Sequence, residues 1–213
     1  MRFYEIVNEI IATEWPMFST VNGENRVSCQ ENPKTFRDMR MAQFNQWSRE
    51  AAESYLADLR QAEHEGRNLL REKYIYMMEN TAPAGYEILK EEVPEISEKK
   101  EQLIEQIWER LLEQTVRVRE KYPLIALGGR PLRAADEMDG WASVETYQIG
   151  ELKTYSEQTL QLLLDHIRAL ENEGIDLAYR ILEATLQSQG FKTMDDAEAA
   201  MDKALNKQKA DAE

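Results

Sequence analysis

An apolar stripe with alternating steps of four and three residues runs through the second half of the chain. Its positions are Glu145, Ile149, Leu152, Ser156, Leu160, Leu163, Ile167 and Leu170. This spacing predicts a helix that begins after Ser143 and turns one narrow face towards a partner helix. Two of these positions, Glu145 and Ser156, are polar. Because burying an unpaired carboxylate costs several kcal/mol, we expect Glu145 to be paired, protonated or exposed to a wet cavity inside the bundle.

The pattern predicts a long helix from Asn32-Pro33 to about Asn80, and a second stripe runs along one face of this helix. Gly66 is the expected place of a bend or break. Aromatic and small residues mark the inward face of this helix, and five polar residues share that face: Arg40, Ser54, Asp58, Glu65 and Glu72. They indicate either an internal network of ion pairs or a ligand pocket built from facing side chains.

Shorter helices are predicted on both sides of these two. One covers residues 2–14 and ends at Trp15-Pro16, because the residue before a proline avoids the helical region. Another begins at its N-cap Ser97 and ends near Tyr122-Pro123. A further helix covers residues 175–188.

The order of the elements predicts the fold class. No alternation of strands and helices occurs, so we expect an all-α bundle of five to six mostly antiparallel helices. Residues 1–190 form the single helical domain of this prediction. Residues 191–213 follow it as a weakly helical or frayed acidic tail.

Composition narrows the classes of function. The chain has 213 residues and a net charge of −14, with no long run of Lys or Arg, so we expect no nucleic-acid partner. Its single cysteine, Cys29, cannot form an intrachain disulfide and favours a reducing compartment. No run of roughly 18 apolar residues occurs, so we expect no membrane span and a cytoplasmic protein.

Recognisable catalytic motifs are missing from the sequence. The Glu-x-x-His pairs of di-iron bundles, the G-x-S-x-G turn and a phosphate-binding glycine loop do not occur. No cofactor is implied and no metal ligand is assigned. An all-oxygen Mg²⁺ or Mn²⁺ site made by Asp58, Glu72 and Glu145 stays open as an alternative.

The candidate site is a set of ten polar residues inside the bundle. Glu72 and Glu145 are the catalytic candidates, as hydrogen-bond acceptors, cation ligands or general bases. Arg130 follows two glycines, an arrangement that lets an arginine reach a carboxylate or phosphate. The candidate ligand-binding residues are Arg40, Asp58, Arg67, Asn68, Lys73, Arg130, Tyr147 and Glu151.

Two classes of function fit this site. The first is a small-molecule-binding protein or an enzyme with a polar Arg/Glu-lined site inside the bundle. The sequence does not distinguish a binding protein from an enzyme. The second is a noncatalytic interaction module that docks a partner protein or a second copy of the chain, with the inward charges as a structural network of ion pairs.

Several phrases of the sequence resemble a family catalogued as domain of unknown function 4125. Among them are Glu14-Trp15-Pro16-Met17-Phe18, Gly66-Arg67-Asn68-Leu69 and Glu145-Thr146-Tyr147. The resemblance covers about residues 1–190. It implies a bacterial, intracellular, helical protein and supplies no catalytic residues. It also implies a nucleotidyltransferase-like protein as a partner.

Overall fold

The computed structural model describes residues 1–21, 32–138 and 141–212, so Cys29 lies outside the described residues. In these ranges the chain forms eleven α-helices and no β-strand, which confirms the all-α prediction. The predicted count of five to six helices is too low, because the two long helices are interrupted and two short helices form in segments predicted as loops. The helices are α1 (Phe3–Ser19), α2 (Pro33–Phe44), α3 (Arg49–His64), α4 (Leu69–Thr81), α5 (Pro83–Leu89), α6 (Glu98–Lys121), α7 (Pro123–Leu127), α8 (Val144–Leu152), α9 (Glu157–Asn172), α10 (Leu177–Ser188) and α11 (Met194–Ala212).

The single helix predicted over residues 32–80 is three helices, α2, α3 and α4. Ser48 and Asn68 each accept a hydrogen bond from the backbone N–H three residues later, at 3.1 and 2.9 Å, and so begin α3 and α4. Gly66 has φ +71°, a conformation that suits glycine at a helix end, and α3 stops before it. Helix α3 ends at His64 and Glu65 is its C-cap residue, so Glu65 is exposed and its predicted inward position is wrong.

The helix predicted after Ser143 is also interrupted. Ser143 caps α8 as predicted, by accepting from the N–H three residues later at 3.0 Å. Ser156 does the same at the start of α9, at 3.1 Å. Its hydroxyl therefore serves as an N-cap and does not lie in a continuous seam, so that part of the stripe prediction is wrong.

The first helix continues past its predicted end. Pro16 lies inside α1, although a proline there removes one backbone hydrogen bond. Met17 and Phe18 after it are buried in the core, and their burial offsets that loss. As a result Glu14 remains on the inner face of the helix, with no exposed surface.

One large apolar core and two smaller clusters hold the helices together. Helix α1 packs on α2 and α3, α9 packs on α3 and α6, and α10 packs on both α2 and α6. Helices α4 and α8 approach closely at Gly150, where a Cβ atom would lie 2.6 Å from Met77 Cγ. This approach brings Glu151 of α8 within reach of Lys73 of α4. Within the described ranges, no helix has the length and apolar character that crossing a membrane requires.

Lys100 is a largely buried charge near the start of α6. Its Nζ donates to the Lys153 carbonyl at 2.7 Å, and no described carboxylate lies within ion-pair distance of it. Burial lowers its pKa from 10.5 to about 8. Since the unfolded chain binds this proton more tightly, the buried charge lowers stability at pH 7, and the loss fades as pH rises from about 8 to about 10.5.

We therefore expect Lys100→Met to raise the free energy of unfolding by about 2 kcal/mol at neutral pH, after allowance for partial exposure. The gain shrinks as the pH approaches the ordinary pKa of lysine. Urea unfolding of both proteins across this pH range measures it. The neighbouring Lys99→Met, at an exposed side chain, is the control and changes stability by less than about 0.5 kcal/mol. A loss of stability in Lys100→Met at neutral pH would contradict the prediction.

Candidate functional site

A cavity of about 490 Å³ lies between α2, α4, α8 and α10. Its α8 wall is one helical face, made by Val144, Tyr147, Gln148 and Glu151. The remaining wall is largely apolar, and its main contributors are Phe18, Phe36, Met39, Leu70 and Ile181. Five of the ten candidate residues line this cavity together: Arg40, Lys73, Arg130, Tyr147 and Glu151.

Arg40 is the centre of a buried charge network, which we define as Glu14, Arg40, Gln43, Tyr55, Lys73, Glu151 and Tyr155. Arg40 Nε donates to Glu14 Oε2 at 2.7 Å, and its Nη2 pairs with Glu14 Oε1. Its Nη1 donates to Glu151 Oε1 at 2.9 Å. Burial by itself would lower the pKa of Arg40, but the charges of Glu14 and Glu151 raise it overall. Arg40 is thus engaged inside the protein, and little of it is open to a ligand.

Glu151 joins this network to the cavity. Its Oε1 accepts from Arg40 at 2.9 Å, from Gln43 at 3.0 Å and from the Tyr155 hydroxyl at 2.8 Å. Its Oε2 accepts from Lys73 Nζ at 2.5 Å. Burial would raise the pKa of Glu151, but the charges of Arg40 and Lys73 hold it well below its usual value. Glu151 is therefore ionised with both oxygens engaged, and it is poorly suited to act as a general base.

Two tyrosines complete the network as hydrogen-bond donors. The Tyr55 hydroxyl donates to Glu14 Oε1 at 2.7 Å, and Tyr155 donates to Glu151. Burial, together with the neighbouring carboxylates, raises the pKa of both phenols well above the usual value. Both keep their protons at neutral pH and hold the two carboxylates in place.

Arg130 and Lys73 place two cations against the ring of Tyr147. The Arg130 guanidinium lies 4.3 Å from the ring centroid and Lys73 Nζ lies 5.3 Å from it, distances typical of cation–π contacts. Arg130 also donates to the Ala142 carbonyl at 3.0 Å and to the Tyr147 hydroxyl at 3.3 Å. No carboxylate of the described residues forms an ion pair with Arg130. Glu14 and Glu151 balance Arg40 and Lys73, so Arg130 leaves the described lining with one uncompensated positive charge.

Two of the other candidates act as local caps outside the cavity. Asp58 accepts from the Ser156 backbone N–H at 2.9 Å and from the Thr159 hydroxyl at 2.6 Å, which fixes the start of α9. Asn68 caps α4, and its amide donates to the Met17 carbonyl at 2.9 Å. Both contacts tie one helix end to another element.

The last three candidates, Arg67, Glu72 and Glu145, belong to two separate ion pairs. Arg67 pairs with Glu72, and Glu145 pairs with Arg133. Arg67 holds Glu72 through two hydrogen bonds of 2.8 Å each. Glu145 accepts from Trp108 Nε1 at 3.0 Å and from the Ala134 N–H at 2.7 Å, and so anchors the loop before α8. Across the described ranges no group of three or more His, Cys, Asp or Glu side chains is placed to hold a metal ion. The structure thus does not gather the three acids of the Mg²⁺ or Mn²⁺ alternative into one site.

Glu14 is the member of the network that sequence reasoning missed. Glu14 is the last residue of the helix predicted over residues 2–14, and its place on the apolar side of that helix was overlooked. If the helix is extended through the proline, Glu14 falls in the apolar series Val7, Ile10, Ile11, Met17 and Phe18. A carboxylate inside that series was the available signal of a buried charge.

Comparison with known proteins gives a family and no activity. No curated protein and no solved structure matches the chain. A family model described as protein of unknown function (DUF4125) matches residues 4–199, and it confirms the resemblance drawn from the sequence phrases. Since the match covers most of the chain, this protein belongs to the DUF4125 family of proteins of unknown function.

Proposed function

We propose that this protein binds a small organic monoanion in the cavity between α2, α4, α8 and α10. The observation that carries the proposal is the half-buried Arg130 guanidinium, stacked on Tyr147 beside Lys73 with no carboxylate of the described residues to neutralise it. A carboxylate placed there receives charge-assisted hydrogen bonds from Arg130 and from the Lys73 protons that Glu151 leaves unused. The apolar wall then contacts the body of the ligand.

Charge favours a monoanion over a polyanion. Only one positive charge of the described lining is uncompensated, and the whole chain carries −14. A polyphosphate would therefore leave most of its charge unpaired in a partly dry site, at a large desolvation cost. A carboxylate with an apolar body matches both the single charge and the largely apolar wall.

The engaged state of Glu151 favours binding over acid–base catalysis. It is the one carboxylate among the described residues that line the cavity, and no described histidine lines it. Because Glu151 is fully hydrogen-bonded and strongly acidic, its role in the proposal is to hold Lys73 in position. Docking of a partner protein, the alternative expected from the sequence, stays a prediction.

The test compares benzoate with benzamide, which has nearly the same shape and no charge. We expect benzoate to raise the melting temperature and to give a measurable Kd by calorimetry, whereas benzamide gives neither. Arg130→Met removes a charge-assisted contact and weakens benzoate binding by about tenfold to a hundredfold. Arg133→Met is the matched control, because Arg133 lies in the same loop, pairs with Glu145 and does not line the cavity. Equal binding of the two probes, or equal losses in the two variants, would overturn the proposal.

A further inference from the structure

A second, smaller cavity lies on the other side of Arg130. It measures about 270 Å³ and is enclosed by α6, α7 and α10. Of its two polar helix residues, Thr115 donates its hydroxyl to the Leu111 carbonyl, and Arg119 donates to the Arg130 carbonyl while no described carboxylate forms an ion pair with it. The rest of the lining is mostly apolar, with Val118, Tyr122, Ile125, Ala126, Ala178 and Leu182 as main contributors.

Arg130 and Val144 are the described residues that line both cavities. Helix α10 continues along both as one wall, because Ala178 and Leu182 face the smaller cavity while Ile181 and Thr185 face the larger one. The two spaces therefore adjoin at these two residues. One of them, Arg130, is the cation of the proposed anion site.

The mostly apolar lining of the smaller cavity favours an apolar occupant. An apolar cavity offers water few hydrogen bonds, tends to stay dry and accepts apolar molecules. Empty space of this kind also lowers stability, because the atoms lining it lack contact partners. A flexible hydrocarbon chain beside the Arg130 cation fills the space and restores those contacts.

We propose that the two cavities form one bipartite site for a monocarboxylate with a medium-length alkyl chain. The carboxylate pairs with Arg130 where the two cavities adjoin, and the chain passes Val144 into the apolar cavity between α6, α7 and α10. This inference rests on the proposed function and specifies its ligand class. If each methylene takes roughly the 30 Å³ of a liquid water molecule, the smaller cavity of about 270 Å³ holds about nine methylenes.

Binding of a series from butanoate to dodecanoate tests the length dependence. Because burial of one methylene changes a binding constant about fourfold, we expect the Kd to fall by that factor per methylene and to level off near decanoate. Octanamide, which lacks the charge, binds far more weakly than octanoate. Calorimetry below the micelle concentration of each acid measures these constants.

Two variants decide where the chain lies. Ala178→Leu fills the smaller cavity from α10, and Ile125→Trp fills it independently from α7. Both abolish the gain per methylene and leave the Kd of benzoate unchanged, since benzoate occupies only the larger cavity. Ala199→Leu on the exposed side of α11 is the matched control and keeps the full length dependence.

The other possible results of these titrations separate a failure of the alkyl-chain site from a failure of the anion site. If benzoate binds but the acid series shows no length dependence, the alkyl chain has no site and this inference fails while the proposed function stands. If length dependence persists unchanged in both filling variants, the chain lies elsewhere and the inference fails in the same way. If neither benzoate nor any acid binds, the proposed function itself is wrong.

Discussion

Arg40→Met is expected to lower the free energy of unfolding by about 3–5 kcal/mol. The substitution keeps a side chain of similar length but removes the charge that pairs Glu14 and Glu151 inside the protein. Glu151 retains Lys73 as a counter-charge, whereas Glu14 has no exposed surface and, among the described residues, keeps the Tyr55 hydroxyl as its one remaining side-chain partner. A buried carboxylate left without a cation accounts for most of the loss. Urea unfolding followed by circular dichroism measures it.

Arg60→Met is the matched control, because Arg60 forms its ion pair with Glu9 at the exposed surface. An exposed pair contributes at most about 1 kcal/mol, so this variant stays close to the parent protein. The double variant Arg40→Met/Glu14→Gln regains part of the lost stability, since it also removes the stranded charge. Equal losses in Arg40→Met and Arg60→Met would contradict the assignment of a buried network.

The loss of unfolding free energy in Arg40→Met depends on pH in a direction that follows from the pKa of Glu151. In the parent protein the charges of Arg40 and Lys73 hold the pKa of Glu151 well below its usual value of 4.5, so its contribution to stability is present above that pH and disappears as pH falls through the lowered value. In the variant Glu151 has lost the charge of Arg40, so less of its contribution to stability depends on its ionised form. The stability difference between the two proteins therefore narrows as the solution is acidified below about pH 4.5.

The parts of this fold that follow from the sequence are those set by local chemistry. Ser97 and Ser143 were predicted as N-caps, and each accepts the expected backbone hydrogen bond. The end of α6 before Pro123 and the break around Gly174 also follow from single residues. Caps, prolines and glycines act within one turn, so their effect is contained in a few neighbouring positions.

The breaks that sequence reasoning missed lie inside long polar-apolar patterns. Ser48 and Ser156 interrupt their helices where a neighbouring turn continues the same periodicity, so both were assigned to continuous helices. The break at Gly66 is predicted from the sequence, but the Asn68 cap that begins the next helix was missed, although a glycine followed by an Asn cap is a common way to end one helix and begin the next. The missed caps did not move the apolar stripe to another face, because Ala62 after Ser48 and Leu160 after Ser156 are buried as the stripe predicts.

The composition of the site depends on contacts between distant parts of the chain. Helix α10 packs on α2, and these two come from opposite ends of the sequence. On α8 the apolar stripe suggested that the face carrying Glu145 is inward, whereas the cavity uses the face of Tyr147 and Glu151. Both faces of α8 are covered, and periodicity alone does not say which covered face borders an empty space.

Stability and ligand affinity are expected to change in opposite directions when Glu151 loses its charge. The carboxylate stabilises the fold by pairing with Arg40 and Lys73, but it also cancels positive charge that would otherwise attract an anion. Glutamine has the same shape and keeps a hydrogen-bond acceptor. It therefore separates the charge of this residue from its packing.

Glu151→Gln is accordingly expected to lower the free energy of unfolding by about 3–5 kcal/mol and to tighten benzoate binding by about tenfold. Stability falls because the buried cations Arg40 and Lys73 lose one of their counter-charges. Benzoate binding tightens because the charge of Lys73 is then uncompensated and attracts the anion. Unfolding in urea and calorimetric titration of the folded variant at low temperature measure the two effects. Glu145→Gln is the control, because Glu145 is partly buried in α8 but does not line the cavity, and its benzoate affinity stays at the parent value. Weaker or unchanged benzoate binding by Glu151→Gln would refute the positioning role assigned to Glu151.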